Sequence, residues 1–401
     1  LLAEPGPWET RIVTIAASSR VDRHWLWPLL TLNFFMADMQ AGIGPFLGVF
    51  LAAHGWATGM IGTVMTVGGV AGMIMTTPAG ALVDATRHKR AYVVGPGIFT
   101  VLASGLILLS QHFWVVTASQ VATAIAGAAI GPAVNGITLG IVRQAGFNRQ
   151  LGRNQAFNHA GNMVGAGLSG LLGWKFGLPA VLWLAALFGV FSIASVVMIP
   201  RGSIDDNAAR GLKDGGTQNE TASGLRVLFE CRPLLVLAAS LTFFHLGNAA
   251  MLPLYGLAVA GSHQTDPAMA VGLTIVVAQG VMIVAALAAM RLVARHGYWI
   301  VLLISFAALP VRAVVAAAFI GAWGIYPVQF LDGIGAGRIN VGQGTVMTLQ
   351  ALGASLSPAI GGWIAQALGY PPMFLILGGF ALISIVLWLI FPTPRRAAGP
   401  A

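Results

Sequence analysis

The sequence predicts an all-α membrane protein, twelve transmembrane helices forming two six-helix bundles, with both chain ends on the cytoplasmic side. Three observations predict it. The 401 residues are 57% hydrophobic and only 8% charged, against about 25% charged in an average soluble protein. Of the 21 Lys and Arg, 19 fall at the chain ends or in alternate connections between long apolar segments; cytoplasmic loops retain positive charge in this way. The second half of the chain also repeats the first, at a shift of 209 to 210 residues.

A helix that crosses the hydrocarbon core needs about 20 mostly apolar residues. Spans 1 to 6 are read at Trp25–Ala53, Gly59–Val83, Ala91–Ser110, Phe113–Val142, Asn154–Trp174 and Ala180–Ile199. Spans 7 to 12 follow at Pro233–Ala260, Ala268–Met290, Ile300–Ile320, Tyr326–Gly337, Val341–Leu368 and Met373–Phe391. Runs of this length specify helices; the strands of a transmembrane barrel would alternate over about 10 residues. The expected organisation is a cytoplasmic N-terminal segment (1–24), a first bundle (25–200), a cytoplasmic linker (201–232), a second bundle (233–392) and a tail (393–401).

Orientation comes from the connections. Arg87, Lys89 and Arg90 lie on one side, with Arg143, Arg149 and Arg153, Arg201 to Arg232, Arg291 and Arg295, Arg338, and Arg395 and Arg396. The opposite connections hold His54, His112, Lys175, His263 and Asp266 and little else that ionises. The first side is cytoplasmic. The linker, rich in Gly, Asp, Asn, Ser and Thr, reads as flexible, and its end at 224–230 is amphipathic enough to lie on the membrane surface.

The repeat is read residue by residue. Leu32-Asn33-Phe34-Phe35 of span 1 matches Leu241-Thr242-Phe243-Phe244 of span 7, and Gln120 of span 4 matches Gln329 of span 10, both at 209; Leu82-Val83 matches Leu292-Val293 at 210. Parallel repeats of six spans are the organisation of a rocking two-bundle transporter. One irregularity stands out: Gln120 to Gly161 is 41 residues, whereas Gln329 to Gly353 is 24. The twelve residues of span 10 would cover about 18 Å at 1.5 Å each. The expectation is that residues are missing between Gly337 and Arg338.

Composition excludes several functions. The net charge of +9 is scattered loop by loop with no basic stripe, so it marks topology and not nucleic-acid binding. A lone cysteine, Cys231, forms no internal disulfide. No phosphate-cradling Gly-Lys-Ser/Thr loop, zinc-spaced Cys/His cluster or nucleophile elbow occurs, so no enzyme, ATP-driven or metal chemistry and no cofactor is expected. Residues 1–23 carry charges throughout and read as no cleavable signal peptide.

After span 2 the chain runs Gly80-Ala81-Leu82-Val83-Asp84-Ala85-Thr86-Arg87-His88-Lys89-Arg90. This resembles the signature loop of the major facilitator superfamily, Gly-x-Leu-x-Asp followed by a Gly and a basic cluster. It matches at Gly80, Leu82, Asp84, Lys89 and Arg90 and departs at Ala85 and Arg87, where Arg and Gly are usual. The resemblance implies that Asp84 ties the two bundles together at a cytoplasmic gate. Gln329 to Gly337 of span 10 looks like the fourth-span motif Arg-x-x-Gln-Gly-x-Gly, with Gln329 and Asp332 in place of Arg and Gln. Span 11 carries Ser357-Pro358-Ala359-Ile360-Gly361-Gly362, similar to the Gly-Pro-x-x-Gly-Gly kink of antiporters in that family, where it lies in span 5.

Charged side chains at membrane depth cost about 2.5–3.5 kcal/mol each on insertion scales, so they serve a site or a partner. Asp38 lies halfway along span 1, and His245 lies at a similar depth on span 7. With Asp332 they are the candidates for proton coupling, because burial raises a carboxyl pKa toward neutrality and His titrates there already. Arg312 of span 9 and Asp332 of span 10 sit at similar depths, so an ion pair is expected. The pair either cements neighbouring helices, holds a substrate carboxylate through the Arg, or passes a proton through the Asp. Candidate substrate-binding residues are Arg312, Asn33, Gln40, Asn158, His159, Asn162, Asn248, Gln279, Gln329 and Gln343; Gln350 joins them as an inward polar group. Interhelical hydrogen bonds average about 0.6 kcal/mol in membranes, so the same residues also serve as packing glue. Phe34, Phe35, Phe243 and Phe244 either flank a ligand or pack the core.

The expected function is proton-coupled secondary transport by alternating access, exporting a small amphipathic organic compound. The alternatives are proton-driven import of a small organic acid or other nutrient, and a non-transporting receptor or scaffold. The expected setting is a bacterial inner membrane, with a small-molecule substrate, protons and the bilayer as partners, the chain acting as a monomer.

Overall fold

The computed structural model describes residues 25–41, 44–209, 231–336 and 345–390. Among them the chain is helical almost throughout, in the twelve-helix arrangement expected. Span 2 is Thr58–Ala85, span 3 Ala91–Leu109, span 6 Pro179–Met198, span 8 Pro267–His296 and span 9 Tyr298–Ala318. Span 10 is Ile325–Ala336, span 11 Thr345–Leu368 and span 12 Tyr370–Ile390. Residues 337–344, where the missing segment was expected, lie outside the described residues, as do 224–230.

Span 7 is broken at mid-depth. Span 7 is Arg232–Asn248 followed by Met251–Gly261. Pro253 lacks an N–H, and its ring collides with the carbonyl four residues back, so the first helix stops just before it. The freed Ala250 N–H donates 2.9 Å to Ser357 Oγ of span 11; in lipid, such a group finds a partner within the protein. Of span 1, the helices Leu26–Ala41 and Gly44–Ala53 are described, and residues 42–43 lie outside the described residues.

Spans 4 and 5 correct the sequence reading. The connection expected at Arg143–Arg153 is helical: Phe113–Phe176 runs through it, interrupted only at Arg143 (φ 54°, ψ 179°). Span 5 therefore extends about three turns into the cytoplasm. The start of the linker is also ordered. Asp205 N–H donates to Gly140 O at 3.1 Å, and the turn Asp206–Ala209 docks beneath span 4.

The repeat governs packing. Span 1 packs on spans 5 and 6, span 3 on spans 4 and 6, and span 2 on span 4; spans 7 to 12 repeat each pairing six spans later. Gly161 of span 5 lies so close to the Phe34 carbonyl that a methyl group there would overlap it, and Gly353 of span 11 meets the Thr242 carbonyl in the same way. Beyond the shortened interval the repeat resumes at a shift of 192: spans 5 and 11 both end on a glycine of positive φ, Gly177 at 84° and Gly369 at 89°.

Large apolar side chains such as Leu109, Trp183 and Trp323 face outward, where lipid is the solvent. Inside, the outer parts of both halves share one core that joins Leu47, Leu51 and Ile61 to Leu254 and Ala258. A second core, including Leu29, Val83, Val93 and Ile199, belongs to the first half alone, toward the cytoplasm.

Candidate functional site

Among the described residues, two places stand out for polar contacts at membrane depth. The first is inside the second bundle. Arg312 of span 9 has 0% exposure. Its Nη1 donates to Asp332 Oδ1 at 2.6 Å and to Asn248 Oδ1 at 2.8 Å, and its Nη2 donates to Gln329 Oε1 at 3.4 Å. Gln329 and Asp332 are three apart on span 10 and so share a face. Asn248 ends the first helix of span 7, where the chain breaks. The arrangement joins three helices around one guanidinium. It is incomplete: Arg312 Nε and Gln329 Nε2 are buried donors with no acceptor. A buried charge pair is held at a net cost unless its remaining protons are satisfied, so this site stores a tendency to rearrange or to bind an acceptor. Tyr255, fully buried nearby on span 7, anchors the outer end of span 9 by donating to Phe319 O at 2.6 Å. Sequence reasoning missed it; a tyrosine in an apolar helix that needs a partner for its hydroxyl was the available signal.

The second place is the seam between the halves. Spans 2 and 11 meet along their outer parts. Thr58 Oγ1 donates to Gly362 O (3.1 Å), Gly59 N–H to Gln366 Oε1 (3.1 Å), Ala359 N–H to Thr66 Oγ1 (2.9 Å) and Trp363 Nε1 to Thr63 Oγ1 (3.0 Å). Gly62 lies directly against the Pro358 carbonyl. The span 11 kink motif is therefore a seam element. Spans 5 and 8 form the other side, with Gly170 against Gly272, and nearer mid-depth His159 Nδ1 lies 2.7 Å from Gln279 Oε1. Leu257 of span 7 covers Gly48 of span 1 between them. These contacts, apart from His159–Gln279, lie toward the outer face, so the structure is closed there. The seam threonines Thr58, Thr63 and Thr66 were not singled out in the sequence, because threonine in a helix satisfies itself on its own backbone and gives no interhelical signal.

The remaining candidates divide. Asn33, Asn158 and Asn162 come together between spans 1 and 5: Asn158 Nδ2 donates to Asn33 O (3.4 Å), Asn162 Nδ2 to Asn158 Oδ1 (3.3 Å) and Asn33 Nδ2 to Leu29 O (2.8 Å). His245 is half-buried on span 7, its ring 5.5 Å from that of Phe244. Asp38 and Gln40 belong to the helix Leu26–Ala41, but their side chains lie outside the described residues, as does all of Gln343. Phe34 and Phe35 pack with Phe188, and Phe244 packs with Phe306, inside the bundles.

In the loop after span 2, Gly80 is half-buried near Pro132, while Leu82 and Asp84 are exposed. The basic residues there cap helices. Lys89, almost fully buried, donates from Nζ to Val83 O at 2.9 Å, and Arg90 donates from Nη2 to Val197 O at 2.8 Å. Each satisfies a carbonyl at a helix C-terminus, where the dipole favours a cation. Burial, and then the nearby Arg201, hold the Arg90 guanidinium below the usual arginine range. Among the described residues no cluster of His, Cys, Asp or Glu is fit to hold a metal.

Comparison with known proteins follows the same lines. The family model described as Major Facilitator Superfamily matches residues 29–351. Two Mycobacterium tuberculosis proteins, from strains CDC 1551 and H37Rv, are each 35% identical over 379 residues, which is 90% of this chain and 91% of theirs. Both are described as uncharacterized MFS-type transporters. Among solved structures, the nucleoside transporter NupG superposes with a TM-score of 0.73 at 12% identity, over 92% of this chain and 98% of that one. A mutant of the peptide transporter POT in complex with sulfate gives 0.71 at 14% identity, over 91% and 93%. At such identities the likeness is one of fold.

Proposed function

The chain belongs to the Major Facilitator Superfamily, and from that premise we propose that it is a proton-coupled transporter exporting a small amphipathic organic compound by alternating access. The observation that carries the reading is the buried Arg312–Asp332 pair. With Asp332 ionised, the guanidinium is held by Asp332, Asn248 and Gln329. A proton on Asp332 removes the attraction and frees Arg312 to turn toward another acceptor. Two arrangements of one network, selected by a proton, are what coupling needs. Asp38 on span 1 and His245 on span 7 are the further coupling candidates, and for His245 the nearby helix break is where span 7 can flex. Residues 25–200 and 233–392 act as the two moving bodies.

The seam supports alternation. Its polar ties are single hydrogen bonds, worth about 0.6 kcal/mol each on average in a membrane, and glycine contacts that let the helices slide apart. Export is favoured by the antiporter-like kink in span 11 and by the weakly charged interior. A second reading, proton-driven import of a small organic acid, rests on Arg312 Nε, a buried donor with no acceptor. The setting is the cytoplasmic membrane of a bacterium, with the chain acting as a monomer.

The test is a pH-gradient assay in proteoliposomes. Substrate-driven proton release from preloaded vesicles supports export by exchange, and co-directional entry of substrate and protons supports the second reading. Gradient-driven transport that is unchanged in Asp332→Asn removes Asp332 from coupling.

A further inference from the structure

The two halves differ at one repeat-related place, and the difference leaves a cleft. In the second bundle the Arg312 guanidinium fills the space beside Gln329 and Asp332. At the 209-residue shift these three positions are Ala103, Gln120 and Thr123. On span 2, at the 210-residue shift that relates Leu82-Val83 to Leu292-Val293, Gly68 and Gly72 stand where span 8 has Ala278 and Met282. Two bulky side chains of the second half, Arg312 and Met282, are thus replaced by Ala103 and Gly72 in the first. Between spans 2, 3 and 4 this leaves a cleft of about 470 Å³, lined by Gly68, Gly72, Thr76, Thr100, Gln120 and Thr123 among others. That volume is in the range of small-molecule sites, roughly 300–1,000 Å³.

We propose that this cleft binds a small, neutral, amphipathic molecule that presents an amide or hydroxyl group to Gln120. Gln120 is half-buried in the cleft wall, offering an amide donor and acceptor at membrane depth. The Thr100 and Thr123 hydroxyls in the same wall are buried without a hydrogen-bond partner, so a rotation of either side chain toward a ligand gains a bond and loses none. The site selects against charge. Thr123 stands where the second half has Asp332, and no ionisable side chain lines the cleft, so an ion would be desolvated there with nothing to balance it. Apart from Thr76, the rest of the wall is glycine, alanine and Met65, which suits an apolar body. Binding here requires no gradient and so stands apart from the coupling reading above.

The test uses the purified full chain in lipid nanodiscs, with 2-naphthamide as probe and 2-naphthoate and 2-naphthylmethylamine as its anionic and cationic isosteres. Saturable binding is measured by equilibrium dialysis against empty nanodiscs. The expected result is binding of the amide and at least about tenfold weaker binding of both ions. Gly127→Leu should abolish amide binding: a Cβ built at Gly127, which lines the cleft, meets nothing within 4 Å, so the new side chain can occupy the space without displacing the helix. Gln120→Leu, of similar volume, should weaken amide binding about tenfold. The proposal is overturned by the absence of saturable amide binding, by equal binding of either ion, or by binding that survives both substitutions in protein with unchanged thermal stability.

Discussion

Arg312 and Asp332 face each other at 2.6 Å from adjacent helices, with side chains 0% and 7% exposed. Removing one partner of such a pair strands the other charge in a medium that cannot solvate it, at about 3–5 kcal/mol. Asp332→Asn and Arg312→Gln should each lower the thermal unfolding temperature markedly, while the double variant recovers most of the loss. Equal losses in the single and double variants would mean that the pairing is not what holds spans 9 and 10 together.

The repeat-related glycines give a second comparison. Gly161→Ala and Gly353→Ala each drive a methyl group into a backbone carbonyl within one bundle, and overpacking of this kind costs about 1–3 kcal/mol. Both should reduce thermal stability by similar amounts. Gly62→Ala makes the same collision between bundles, against Pro358. It should leave unfolding nearly unchanged and instead open the outer seam, read as a longer spin-label distance between the outer ends of spans 2 and 11.

His159 and Gln279 are joined across the seam at 2.7 Å. In a double-mutant cycle with His159→Phe and Gln279→Leu, the coupling energy for the outer-closed state should be about 0.6 kcal/mol and no more than about 1.7. A coupling near zero would show that the two side chains pack side by side without a bond that counts.

Arg143 occupies a backbone region (φ 54°, ψ 179°) that costs an L-residue about 1–3 kcal/mol. Its ion pair with Asp205, at 3.3 Å, is 60% and 36% exposed, and exposed pairs contribute little. Arg143→Gly should therefore raise stability by about 1 kcal/mol, measured by thermal unfolding. A loss instead would make the Asp205 contact the stronger effect.

Much of the site was legible in part. The pairing of Arg312 with Asp332 followed from their common depth, and the cost of burying each alone left few other outcomes. Asn248 and Gln329 stood out individually as polar residues, yet nothing in a linear chain tells that both turn toward Arg312. His159 and Gln279 were assigned to a substrate one by one, whereas they meet each other. Hydrogen bonds between helices depend on rotation about each helix axis, and a mostly apolar helix leaves that rotation undetermined. The helical junction after Arg143 was misread because three basic residues in one stretch look like a loop, although a helix projecting into water also exposes them.

By itself, the sequence determined the number of spans, their repeat and their orientation, since hydropathy and loop charge are local properties measured against a bilayer of known thickness. Only the tertiary structure decided which halves of the helices touch, that the outer seam is shut, and that one bundle encloses a guanidinium where its twin keeps a cleft. Those outcomes rest on contacts between residues far apart in the chain, such as Arg312 with Asn248, 64 positions away. An ordinary hydrogen bond between helices is worth about as little as thermal energy, so such contacts take effect only when packing has already brought the partners together.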